Sequence, residues 1–150
     1  VVVLNASPEP LGARPFLPDL DILIVNETEA EELLGTEVTA ENGGEAALSL
    51  AALGPRTVVV TLGPAGAVVA HEGETRSFPA PQVTAVDTTG AGDAFTGAFA
   101  AELARGGDPF SAARRGVVAG SLATTKPGAY PGLPHRAEIE ATLATMDQPA

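Results

Sequence analysis

The densest chemistry in the chain lies in one run, Val86-Asp87-Thr88-Thr89-Gly90-Ala91-Gly92-Asp93-Ala94-Phe95. It reads as the end of a strand, a turn of small residues and the start of a helix. Glycines at 90 and 92 allow backbone angles and a close approach that side chains forbid. The first amides of a helix lack intrahelical acceptors and sit at the positive end of its dipole, so such a turn is a ready anion site. Asp93 directly after it is odd, because a carboxylate repels a phosphate beside it. Its place makes sense if Asp93 takes the proton from a hydroxyl that attacks phosphorus, where general-base help is worth about 10²–10⁴ in rate. Asp93 could equally cap the helix over a tight turn. The pattern alone leaves both readings open.

Three other motifs of this kind are missing. A Walker loop needs Gly-Lys-Ser/Thr, but the single lysine, Lys126, is far along the chain. The dinucleotide fingerprint needs a third glycine where Phe95 stands, which argues against a dinucleotide-binding oxidoreductase. The nucleophile elbow Gly-x-Ser-x-Gly does not occur. Backbone amides must then supply most of the anion stabilisation, each well-placed donor contributing roughly 10²–10³.

Composition narrows the classes further. Acidic residues outnumber basic ones 19 to 8, for a formal charge of −11, so the surface repels nucleic acid and anionic lipid. Amides and a helix dipole can still hold a phosphate locally on such a protein. Without cysteine there is no disulfide framework and no thiolate metal site. No apolar run approaches the roughly 18 residues of a membrane span, and no basic stretch leads into an apolar one at the start. These features predict a soluble cytoplasmic protein. At 150 residues, 45% of them hydrophobic, the chain has room for one domain with a core. It opens on Val1-Val2-Val3-Leu4, a buried type of strand, with no initiator methionine, which predicts a piece of a longer chain.

The elements that must position the turn follow from periodicity and punctuation. Strands are expected over 1–4, 20–25 and 57–62, a return strand over 67–70, and short strands over 74–78 and 82–86. A Pro-rich loop through Pro8, Pro10, Pro15 and Pro18 separates the first two. Helices are expected over 27–34, stopped by Gly35, and over 45–53. The helix that opens after Gly92 has the apolar face Phe95, Ala98, Phe99 and Leu103. Further helices are expected over 109–123 and 137–146, with a Gly/Pro loop over 126–134 between them. Strands early, hairpins in the middle and paired helices late describe a layered α/β domain. Asn26 and Glu29 have the spacing of a capping box, and His71 and His135 read as surface residues without an acid–base partner.

Asp87-Thr88-Thr89-Gly90-Ala91-Gly92-Asp93, followed by Gly97-Ala98, resembles the C-terminal signature of the ribokinase (PfkB-type carbohydrate kinase) family. That signature is long and specific. The resemblance implies a three-layer α/β/α ribokinase-like fold of which residues 1–150 are the C-terminal, nucleotide-binding part. It implies that Asp93 is the catalytic base and that Gly90, Ala91 and Gly92 form the anion hole. Asn26-Glu27-Thr28-Glu29 resembles the family's Asn-Glu-x-Glu, whose Asn and second Glu lie near the phosphates and the Mg²⁺ hydration shell. Thr61-Leu62-Gly63-Pro64-Ala65-Gly66 resembles its Thr-Leu-Gly-x-x-Gly, so Thr61, Gly63 and Gly66 are expected at the nucleotide, with Val117 beside them. The same six residues could form only a hairpin turn.

Ala123 to Gly132 resembles the segment that wraps the base and a monovalent cation. By position, Asp87 and the carbonyls of Thr89, Ala123, Lys126 and Gly128 would surround K⁺; where ribokinases often have a serine ligand, this chain has Gly132. The Lys126 side chain is expected to be a solvated cation at a helix end. The implied activity is phosphoryl transfer from Mg-ATP to a primary hydroxyl of a sugar, ribose first. Alternatives are another PfkB-type sugar or nucleoside kinase, or a non-catalytic nucleotide-binding fragment. The sugar-binding residues and the lid, with a homodimer through that lid, belong to the N-terminal half of the family. The 150-residue piece alone is expected to be inactive and to carry an uncovered sheet edge.

Overall fold

A computed structural model describes residues 1–148. The chain divides into two compact units, Val1–Phe78 and the residues from Pro79 onward.

The first unit is built on a five-stranded sheet in the order β1-β2-β3-β4-β5, comprising Val3–Asn5, Ile22–Asn26, Thr57–Thr61, Ala67–His71 and Glu74–Phe78. The first two pairings are parallel and the last two antiparallel. β-Branched runs such as Thr57-Val58-Val59-Val60 favour the pleated conformation, and positions on both faces of β2, β3 and β4 are buried. Continuous apolar strands of this kind belong to a sheet covered on both sides. One face packs Leu23, Val25, Val58, Val60 and Val68 against Ala30, Leu33, Ala47 and Leu50 of helices α2 (Glu27–Leu34) and α3 (Gly43–Ala51). Gly43 lies so close to the sheet that a Cβ there would meet Leu62 at 3.2 Å.

Three expectations for this unit change. The opening strand is a three-residue edge strand, half-buried, with Val1 93% exposed. It pairs on one side only, with β2. The Pro-rich loop winds instead into α1 (Pro10–Ala13) and a 3₁₀ turn, Arg14–Asp19, because proline fixes φ at a helical value and suits a first turn. His71 is not a bare surface residue: its Nδ1 lies 2.8 Å from the Thr57 hydroxyl on the paired strand, in a partly buried position.

The second unit is helical. Helix α4 (Ala91–Ala104) packs along α5 (Pro109–Ala123), and α7 (Arg136–Met146) closes on α5 through Val118, Ala119, Ile139 and Leu143. Phe95 and Phe99 stack with centroids 6.0 Å apart. The α4–α5 contact needs Gly116, where a Cβ would lie 2.9 Å from the Phe95 ring. Asp108 caps α5 by accepting the Phe110 and Ser111 amides, with Pro109 in the first turn. A single turn, α6 (Ala129–Gly132), stands where only a loop was expected.

The strand expected over 82–86 is absent. Val83 and Val86 are exposed, and the amides of Val86 and Asp87 both donate to the Thr124 carbonyl instead of to a neighbouring strand. An alternating apolar pattern makes a strand only where a partner edge is available.

Candidate active site

The Gly90 turn is held from three sides. Gly90 itself has φ +80°, in the left-handed region open to glycine, and is the N-cap of α4. A Cβ on it would lie 3.0 Å from the Ala129 Cβ, so the turn rests directly on α6. Gly90 offers no side chain to cap the helix, and the Ala91 amide turns back to the Thr88 carbonyl at 3.2 Å. The amides of Gly92 and Asp93 follow in the exposed first turn of α4. A Cβ at Gly92 would meet nothing within 4 Å, so the space in front of this turn is open.

Asp87 ties the turn to the rest of the unit. Its Oδ1 accepts the Thr89 amide at 2.9 Å, an Asx-type turn, and its Oδ2 accepts the Gly128 amide at 2.7 Å. The Thr89 side chain, the Gly128 amide and the Thr89 amide hold its carboxyl down at about 2. The group is therefore charged at any pH near neutrality, and both of its oxygens are already engaged.

Asp93 is exposed in the first turn of α4, where the helix dipole favours a carboxylate. It opens on a cleft of about 350 Å³ whose walls include Gly97, Ala101, Ala119 and Ile139. Arg115 also lines the cleft, but it is neutralised by Glu102 at 2.9 Å and Glu140 at 2.7 Å. Asp93 is thus a carboxylate reachable from solvent beside an amide-lined turn, the arrangement a general base for a bound hydroxyl requires.

The segment expected around a monovalent cation folds back on itself. A Cβ on Gly132 would lie 2.7 Å from the Ala123 carbonyl oxygen and 3.6 Å from that of Lys126. The Ala123 carbonyl oxygen, and less closely that of Lys126, therefore borders the space that glycine leaves, and both are oxygen donors of the kind a hard cation takes. A serine would not fit this backbone, which is a physical reason for Gly132. The Gly128 carbonyl accepts the Gly132 amide at 3.0 Å. The Lys126 side chain is exposed as expected and pairs with Glu138 at 3.2 Å. Val117 is 5% exposed on α5.

In the first unit, Asn26 and Glu29 form the expected capping box: the Asn26 side chain accepts the Glu29 amide and the Glu29 carboxylate accepts the Asn26 amide, each at 2.9 Å. Glu29 is 6% exposed. Such a buried carboxylate, already bonded, suits contact with a hydrated Mg²⁺ through water better than direct ligation. Among the described residues no group of three or more His, Asp or Glu gathers as a direct metal site. Thr61 ends β3, its hydroxyl donating to the Val25 carbonyl at 3.4 Å, and Gly63 opens the 3₁₀ turn to Gly66. Sequence reasoning did not single out Ala129 or Thr124, which support the turn through a close contact and a shared carbonyl. Neither has a residue type that signals such a role.

The family model for the pfkB family of carbohydrate kinases matches residues 1–136. The chain belongs to this family. Ribokinase from Haemophilus influenzae is 39% identical over 138 residues, which cover 91% of this chain and 45% of that protein. Among solved structures, ribokinase from Thermotoga maritima superposes with a TM-score of 0.86 at 36% identity, covering 96% of this chain and 49% of that one. Ribokinase from Arabidopsis thaliana, complexed with ribose and ATP, gives 0.84 at 34% identity, with 95% and 47% covered. The fold is thus the ribokinase-like α/β fold that the PfkB-type signature implied. The chain spans about half the length of the relatives it matches. No described helix is long and apolar enough to cross a membrane.

Proposed function

We propose that the protein containing this chain is an ATP-dependent sugar kinase that phosphorylates a primary hydroxyl, with ribose the leading acceptor. Residues 1–150 are then the C-terminal, nucleotide-binding part of one ribokinase-like domain. The observation that carries the reading is the exposed carboxylate of Asp93 beside open helix-start amides, in a chain of the PfkB family. The relative complexed with ribose and ATP supports the choice of donor and acceptor.

In this mechanism the amides of Gly92 and Asp93 hold the equatorial oxygens of the transferring phosphoryl group, the Ala91 amide that was expected among them being bonded to the Thr88 carbonyl, and Asp93 accepts the proton of the attacking hydroxyl. Gly90 and Gly92 keep the turn free of side chains so that the phosphoryl oxygens can reach the amides. Asn26, Glu29, Thr61, Gly63 and Gly66 of the first unit, and Val117 of the second, would contribute to holding the nucleotide, with Asn26 and Glu29 reaching a hydrated Mg²⁺ through water. Asp87 stiffens the turn through Thr89 and Gly128, and the Ala123 and Lys126 carbonyls, with those of Thr89 and Gly128, would hold K⁺. Both ions would supply positive charge to offset that of the phosphates.

The test is ATP-dependent phosphorylation of D-ribose by the full natural chain containing this segment, with and without K⁺. Turnover that rises with K⁺ supports both the kinase and its cation site. A folded, ATP-binding protein that does not turn over ribose removes ribose and directs the assay to other sugars and nucleosides.

A further inference from the structure

Two glycines four residues apart, Gly116 and Gly120, lie on one face of α5. Glycine weakens a helix interior, so its presence there calls for a packing reason. At Gly116 the reason is a side chain, the Phe95 ring. At Gly120 it is backbone. A Cβ on Gly120 would lie 3.1 Å from the Ala91 carbonyl oxygen and 3.9 Å from the carbonyl carbon, with the Phe95 Cβ at 3.6 Å. A ring can swing aside, whereas a carbonyl in a helix gives way only when the first turn of α4 moves with it. Gly92 and Gly97, on α4 itself, face open space by contrast.

The Ala91 carbonyl matters because of what shares its peptide plane. A peptide unit is rigid, and in its trans form the C=O and the following N–H point in opposite directions. The N–H of this unit is that of Gly92, one of the two amides in the exposed first turn of α4. The Ala91 oxygen lies nearer the Gly120 position than its carbon does, so the carbonyl leans toward α5 and the Gly92 N–H leans away from it. From this arrangement we infer that Gly120 is a positioning residue for phosphoryl transfer: its bare backbone is the seat on which the Ala91–Gly92 peptide rests, and it thereby sets the aim of the Gly92 amide. The inference rests on the kinase reading above. Groups that stabilise a transition state must be held within about 0.5 Å of their productive geometry. Alanine at position 120 would make the Ala91 carbonyl give by a few tenths of an ångström, a shift on that scale.

The test uses the full natural chain and steady-state kinetics with ATP and D-ribose, D-fructose or adenosine as acceptor, comparing wild type with Gly120→Ala, Gly120→Val and Gly116→Ala. Expected is a fall in kcat of about 3- to 10-fold for Gly120→Ala, scaled from roughly 10²-fold for a misplacement of about 1 Å. Gly120→Val falls further, toward the loss of about 10²–10³ for a missing donor. The ATP and acceptor KM values stay within about 2-fold, because the amide binds most tightly in the transition state. Gly116→Ala, which crowds a ring and not the turn, melts lower but keeps kcat within about 2-fold of wild type. That contrast separates positioning from lost stability, and the alanine variant carries the test alone where valine prevents folding. An unchanged kcat for Gly120→Ala, a rise in KM with kcat intact, or an equal kcat loss in Gly116→Ala overturns the inference and leaves the kinase reading intact. Failure of the folded wild-type chain on all three acceptors overturns the kinase reading and this inference with it.

Discussion

The Asp87 carboxylate accepts the amide of Gly128, 41 residues further along the chain, at 2.7 Å. With its other oxygen on the Thr89 amide, one side chain joins the turn before α4 to the segment that enters α6. The folded-state value of about 2 lies below the ordinary aspartate value of 3.8. This stabilisation is therefore complete above the ordinary value and is lost as pH falls through about 2. The urea midpoint of Asp87→Asn should lie below that of wild type near neutrality, and the two should converge on acidification from about pH 4 to about pH 2. Parallel curves across that window would show that the hydrogen bonds to Asp87 do not set its affinity for protons.

Gly90 and Gly92 should separate folding from catalysis. Gly90→Ala forces φ +80° on a residue with a Cβ and drives it against Ala129, so a stability loss of about 1–2 kcal/mol is expected. Gly92→Ala meets open space inside a helix, where alanine is favoured over glycine by about 0.5–1 kcal/mol. It should melt no lower than wild type, yet lose turnover because the new methyl enters the space meant for the phosphoryl oxygens. A Gly92→Ala enzyme with full turnover would move the anion site elsewhere.

Asp93→Asn keeps the size of the side chain and removes the base. In the full natural chain, kcat should drop by about 10²–10⁴. Stability should shift by less than about 1 kcal/mol, the usual worth of a charge at a helix start. A loss of only a few-fold in rate would mean that Asp93 is not the base.

Gly116 tests the helix pairing beneath the turn. Alanine is the better helix former there, but its Cβ would lie 2.9 Å from the ring of Phe95, which is buried and stacked on Phe99. Overpacking of this kind typically costs about 1–3 kcal/mol, more than the propensity returns. Gly116→Ala should lower the melting temperature by several degrees in a calorimetric scan, and an unchanged transition would mean that the ring can swing aside.

Asn26→Ala removes half of the capping box, with an expected cost of about 1 kcal/mol. Denaturant unfolding measures that cost. If Asn26 also contacts the nucleotide, the ATP KM of the full natural chain rises as well; a stability change alone would leave the residue a cap and nothing more.

Much of this protein is local, and the sequence by itself determined it. The Gly90–Asp93 turn, the Asn26–Glu29 box, the stop at Gly35 and the apolar face of α4 depend on residues within a few positions of one another, where steric limits, caps and helical spacing decide. The family followed from the same run, because an unusual order of small and acidic residues leaves few other meanings. Tertiary structure decided what had to be matched at a distance. Val83 to Val86 carry a strand pattern but find no partner edge, and their backbone turns to Thr124 instead. His71 found Thr57 only because β3 and β4 pair in one register. Ala129 under Gly90 and Gly116 under Phe95 are close contacts between segments far apart in sequence. No local preference encodes them, since they arise only when packed elements exclude every other fit.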